Sequence, residues 1–247
     1  MSSHDVLRAN DIRFLAQAEK LLDSDWYRPS LCAGWSNLDV LAHLVVGCSV
    51  PASVLIGQVL RHRGSFDRAN DAVTHRLARS STPSELLKRY ELLVSKPEGI
   101  GKLFPSALLT GDHVLHEIDI LLPLGQEPAI ERAALIAVLN TEVNHPNPFV
   151  PAHRTAKGLR LVASDINWST GPASGPVVEG PGWAIASVLA NRPHALDRLE
   201  GPGVHVLTRR LRANGHVRSA DELGLGPGAE SRTRSRRAVQ ESAHDRE

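Results

Sequence analysis

Asp112 and His116 stand four residues apart in Thr110-Gly111-Asp112-His113-Val114-Leu115-His116-Glu117-Ile118-Asp119, a stretch that otherwise reads as an apolar helix. Side chains at i and i+4 share one helical face and project side by side. A carboxylate beside an imidazole is half of a metal site, and His43, far upstream on another apolar stretch, is a third candidate ligand. Three protein ligands leave room for water, a thiolate or a substrate oxygen, as in catalytic sites, whereas a structural zinc site is normally closed by four. An ion held in this way can polarise a carbonyl or stabilise a thiolate at neutral pH. Ligand type alone does not choose the ion. The same spacing has a plainer reading, because carboxylate–imidazole pairs at i,i+4 also occur as surface pairs. His43 reads equally as a hydrogen-bonded core histidine. His113 faces about 100° away from Asp112 and falls outside the set. Glu117 and Asp119 read as supporting or surface groups, with Asp119 close enough to orient His116.

Other chemistries find less support. Cys32 and Cys48 sit in no recognisable nucleophile motif, and two thiols make neither a cysteine-rich zinc site nor a disulfide framework. Gly-x-Ser-x-Gly is absent. The glycines at 171–175 and 201–203 lack the spacing of a phosphate loop.

The elements that must position these residues are mostly helices. Apolar residues recur with helical period over roughly 5–23. Ser36 and Asp39 form a capping-box pattern at the start of a second helix that carries His43 and is expected to kink at Pro51. Residues 61–81 read as a polar connection with some helix. Thr82-Pro83-Ser84-Glu85 starts a helix over about 83–94, and another runs from near Pro105 to about Leu122, closed by Pro123 and Gly125. A further helix is expected near 128–140. Pro146, Pro148 and Pro151 mark the best boundary. Beyond it the period changes to two, predicting strands at Leu159–Ser164, Val177–Glu179 and Val204–Thr208 around a helix at Trp183–Leu199. From Asn214 onward large apolar residues nearly vanish, and a disordered tail is expected over 214–247.

With 247 residues, the chain suits one large domain or two small ones. Aromatics are only 4%, so the core is expected to be Leu, Val, Ala and Ile. A formal charge of +1 gives no global pull toward nucleic acid or an anionic membrane. Met1–Arg8 lacks the apolar core of a signal peptide, and the longest apolar run is broken by His43 and Pro51. Together with the sparse cysteines, this predicts a cytoplasmic protein with no membrane span.

Several segments together resemble a known family. Trp35-Ser36-Asn37-Leu38-Asp39-Val40-Leu41-Ala42-His43-Leu44 is similar to the Gly-Trp-x-x-x-Asp-x-x-x-His-Leu motif of the DinB-like, mycothiol-dependent maleylpyruvate isomerase family. Gly111-Asp112-x-x-x-His116-Glu117-x-Asp119 resembles its second metal motif. Gly158 to Gly171 and Ala190 to Gly201 look like its C-terminal domain. The resemblance implies an α+β protein: a DinB-like metal-binding four-helix bundle over 1–143, then a small α/β domain over 152–212. It implies that His43, Asp112 and His116 hold a divalent metal, usually zinc, and that mycothiol serves as thiol cosubstrate for a small-molecule substrate. One common family pattern has Glu where this chain has Asp112; Gly111 would permit closer backbone approach beside the shorter acid. The implied activity is cis–trans isomerisation by thiol addition and elimination. Thiol S-transfer for detoxification and a non-catalytic metal-stabilised bundle stand as alternatives. Arg192 and Arg210 could bind substrate carboxylates, or form surface salt bridges.

Overall fold

A computed structural model describes residues 2–147 and 150–213. The expected tail over 214–247 lies outside the described residues. The helices of the first part are α1 (Ser3–Ala18), α2 (Asp23–Trp26), α3 (Asn37–Ser49), α4 (Ala52–Arg61), α5 (Phe66–Arg79), α6 (Pro83–Ser95), α7 (Ser106–Leu121) and α8 (Arg132–Asn144). The local chemistry that starts them is explicit. Ser36 caps α3 by accepting from the Asp39 amide at 3.2 Å, while the Asp39 carboxylate accepts from the Ser36 amide at 2.9 Å. Thr82 and Glu85 make the same reciprocal pair at the head of α6, where Pro83 occupies the first turn. Pro51 ends α3 outright instead of kinking it, and α4 starts afresh after it.

Helices α1, α3, α6 and α7 close a ring of neighbours, the four-helix bundle, with α5 laid against α3 and α4 against α5. Their shared interior is built from Leu38, Leu41, Leu44 and Val45 of α3, joined by Leu86 and Leu93 of α6 and Ile120 and Leu121 of α7. The few aromatics are central rather than absent: Phe14, Trp26 and Tyr90 are among the largest fully buried side chains. A short 3-10 turn at Gly99–Lys102 packs on the end of α3. A side chain on Gly101 would meet the Cys48 backbone, its Cβ falling 2.9 Å from the Cys48 Cα, so only glycine lets this turn approach.

The second part holds α9 (Ala152–Ala156), β1 (Arg160–Ala163), β2 (Ser169–Thr170), β3 (Val177–Gly180), α10 (Gly182–Leu189) and α11 (Val204–Ala213). The sheet order is β2-β1-β3, with β1 antiparallel to β2 and parallel to β3. Gly171, just after β2, adopts φ +95°, and a Cβ there would fall 1.9 Å from the Leu159 carbonyl. The protein is therefore α+β, a helical bundle followed by a small α/β unit. A second apolar cluster joins this unit to α7 and α8 through Val114, Leu115, Ile118, Leu135, Val138 and Leu139.

Two sequence expectations need correction here. Val204–Thr208 is the start of α11, not a strand. Val204, Val206 and Thr208 alternate like a strand, but Leu207 and Leu211, four apart, are both buried, and that helical stripe decides the outcome. The single helix expected over 183–199 stops at Leu189, and Pro193–Arg198 forms a 3-10 helix. Asn191 sits at φ +70°, and Arg192, preceding proline, takes extended backbone, so the helix cannot run through.

Candidate metal centre

The structure brings His43 of α3 and Asp112 and His116 of α7 together. One ligating atom from each lies within 4.8 Å of the others. His43 Nε2 is 3.7 Å from Asp112 Oδ2, and His116 Nε2 is 3.5 Å from Asp112 Oδ1. The two imidazoles meet edge to face with centroids 4.7 Å apart. Trp35, at the head of α3, packs against the His43 ring at 5.4 Å. The Nδ1 of His43 is buried with no hydrogen-bond partner, so packing rather than a hydrogen bond sets that ring.

His116 is held differently. Its Nδ1 lies 2.9 Å from Asp119 Oδ2, one turn further along α7, which leaves Nε2 facing Asp112. Asp119 is fully buried and is gripped at two points by Arg192, with Nε to Oδ1 at 2.6 Å and Nη2 to Oδ2 at 2.7 Å. The Cys32 thiol donates to the same Oδ2 at 3.2 Å and lies 3.8 Å from His116 Nδ1. Its loop is pinned to α7 by the Leu31 amide, which donates to the Asp119 carbonyl at 3.0 Å.

The electrostatics are consistent across the group. Burial opposes ionisation of Asp112, but the His116 and His43 imidazoles outweigh it and hold the carboxyl well below its usual range. Burial opposes a charge on His116, yet Asp112 and Asp119 raise its proton affinity well above the ordinary value. Burial likewise works against Asp119, and Arg192 keeps it ionised far below the usual range. An imidazole drawn toward positive charge from both sides is also where a divalent cation would be held.

The triad opens on a cavity of about 500 Å³ that is also lined by Glu142 and Arg192. Glu142 lies on α8 with 8% of its surface exposed, and neither carboxyl oxygen has a hydrogen-bond partner. Burial pushes its pKa well above the usual carboxylate value, with Arg192 only partly opposing this. His113 points away from the triad, as its position on the helix requires, into a buried set with Asp11 and Tyr90. Glu117 is buried as well and pairs with Arg13, so it is not a surface group.

The chain matches the family model described as mycothiol maleylpyruvate isomerase N-terminal domain over residues 7–95. The matched stretch carries His43 and its capping box, while Asp112 and His116 lie beyond it. In fold the chain is similar to a crystal structure of the mycothiol-dependent maleylpyruvate isomerase, at 15% identity and TM-score 0.52, covering 81% of this chain and 91% of that one. A histidine-to-alanine mutant of the same enzyme is similar at 14% identity, with the same TM-score and coverage. At these identities the likeness speaks for the fold. No curated protein sequence matches the chain.

Three readings of individual residues change. Arg192 does bind a carboxylate at two points, but it is the chain's own Asp119. Arg210 donates to the backbone carbonyls of Thr155 and Lys157. Gly111 admits no closer backbone, since a Cβ there would meet nothing within 4 Å. Cys32, which sits in no recognisable motif, joins the group through Asp119 and His116, and Glu142 is the member the sequence reading missed. A signal for Glu142 exists, since it continues the buried stripe of Leu135, Val138 and Leu139 on α8, where a carboxylate is out of place.

Proposed function

We propose that this chain is a divalent-metal-dependent enzyme that uses a low-molecular-weight thiol, mycothiol by analogy with its relatives. In this reading it adds that thiol to a small electrophile and eliminates it again, isomerising the double bond. The observation that supports it is the meeting of His43, Asp112 and His116 on the wall of a cavity, with the far nitrogen of His116 fixed by Asp119. Two imidazoles and a carboxylate suit zinc, and when bound such an ion would polarise a carbonyl or favour the thiolate. Cys32, His116 and Asp119 form a second grouping of ligand atoms. Both oxygens of Asp119 are already engaged by Arg192, so we assign the ion to the first triad.

The chain's own residues divide the remaining work. Asp119 holds the His116 ring and presents Nε2 to the cavity. Val46 and Leu115 are among the residues of the cavity wall and give the thiol and the electrophile an apolar surface. Glu142, whose protonated form burial favours, can give a proton to a substrate oxygen as charge develops there. Cys32 and Cys48 are both free thiols, which suits a reducing, cytoplasmic setting. Among the described residues no helix is long and apolar enough to cross a membrane. We further propose that the domains divide at the proline-rich stretch, 1–143 from 152–212.

Metal analysis of the purified chain, followed by a screen for thiol-dependent turnover, tests the reading. His116→Ala should abolish metal content and turnover together while the helical circular dichroism signal survives. Collapse of helicity with the metal would instead favour a metal-stabilised bundle without chemistry, since a structural ion's binding energy is folding energy.

A further inference from the structure

We infer that the cavity beside the triad takes an uncharged, largely apolar electrophile rather than a dicarboxylate, with Glu142 as the polar group that meets the ligand's carbonyl oxygen. The inference rests on the thiol-enzyme reading and names its substrate class.

The wall decides it. Away from the triad much of the lining is apolar, with Val46, Val50, Leu55, Ile100, Phe104 and Leu108 forming a surface that solvates no charge. Its acidic members are Asp67, Asp112 and Glu142. Among the described residues that line it, Arg192 is the one permanently cationic side chain. That guanidinium is spent within the protein, on both oxygens of Asp119 and on the Ala190 carbonyl at 3.1 Å. A divalent ion on the triad adds little to this count, since Asp112 cancels one of its charges and a bound thiolate the other. A dicarboxylate such as maleylpyruvate would enter with two negative charges and find no uncommitted permanent cation among these residues; besides apolar wall and carboxylates the lining offers Asn70, Thr141, His145 and Asn147, which carry no fixed positive charge. An uncharged enone, quinone or ester loses little hydration on entry and offers one acceptor.

Glu142 fits that acceptor. Both of its oxygens lack partners, and burial keeps its proton in place, so it presents a donor to the cavity. Addition of a thiol to an enone balances without any redox partner. The S–H bond and the C=C π bond break, and S–C and C–H bonds form. The proton lost by sulfur equals the one gained at carbon, and Glu142 can pass it on through the carbonyl oxygen.

The test compares two unreactive ligands of one skeleton, dimethyl phthalate and phthalate, by calorimetric titration into the zinc-loaded full chain. The diester should bind at least about ten-fold more tightly. Leu108→Arg, which places a free cation on the partly exposed rim, should move the preference toward phthalate. Glu142→Leu should weaken the diester several-fold while Glu142→Gln keeps most of its affinity, because the amide still donates. Equal or tighter binding of phthalate by the parent chain, failure of both ligands to bind, or indifference to Glu142→Leu would overturn the inference. Thiol-dependent turnover, read as isomerised product or thiol adduct, is scored separately with an uncharged enone and with maleylpyruvate. No thiol-dependent turnover of either, while the diester still binds more tightly, would overturn the thiol reading and leave the ligand class standing. Preferential turnover of maleylpyruvate would overturn the ligand class and leave the thiol reading.

Discussion

Asp119 and Arg192 are 73 positions apart in the chain, yet they meet through two short hydrogen bonds that join α7 of the bundle to the turn after α10. The carboxylate is fully buried and the guanidinium side chain 18% exposed. Removing one partner of such a pair strands the other charge. Arg192→Ala should therefore cost about 3–5 kcal/mol in chemical denaturation. Adding Asp119→Asn to that variant should recover part of the loss, because the stranded charge goes with it. If the single and double variants unfold alike, the pair is not the source of the cost.

Asp119→Asn alone addresses the metal. The amide can no longer offer His116 a charged acceptor, so the ring loses both its orientation and part of its basicity. Metal affinity should fall about 10–100-fold in competition with a chromophoric chelator, without loss of the ligands themselves. Unchanged affinity would mean that Asp119 serves the fold alone.

Cys32 separates the two groupings of ligand atoms. Its sulfur approaches His116 on the Nδ1 side, away from Asp112. Cys32→Ala should leave metal stoichiometry intact, and the X-ray absorption of the zinc-loaded parent should lack a sulfur shell near 2.3 Å. A sulfur shell would shift the site to Cys32, His116 and Asp119.

Glu142 predicts a pH dependence of stability. Buried without partners, its carboxyl keeps the proton well above the ordinary value of 4.5. Below that value folded and unfolded chains both hold the proton, and this contribution to stability is fully present. As pH rises past it the unfolded chain ionises first, so stability falls until the folded carboxyl also titrates. Glu142→Gln removes this loss. The gain in Tm of the variant over the parent should therefore be larger at pH 8 than at pH 5, and an equal offset at both would contradict the assignment.

What could be read from the chain in advance was whatever rests on neighbouring residues. The caps at Ser36 and Thr82 and the Asp112–His116 pair are local patterns, and each is in place. Pairing across long separations has no such pattern, so Arg192 could be expected to seek a carboxylate but not to find Asp119. The same holds for the Cys32 loop, whose position comes from a backbone bond to α7. Where two local patterns compete, as in 204–208, packing of Leu207 and Leu211 chooses between them, and composition cannot.

Helix α7 belongs to both apolar clusters, giving Val114, Leu115 and Ile118 to one and Ile120 and Leu121 to the other. The same sixteen residues carry Asp112, His116 and Asp119. A chain that has closed only one end leaves this helix half supported, so its ligand face takes final shape only when both ends have formed. Occupancy of the triad would then report completed folding: a half-folded intermediate presents no finished site, and the cell's scarce cations would go only to finished molecules.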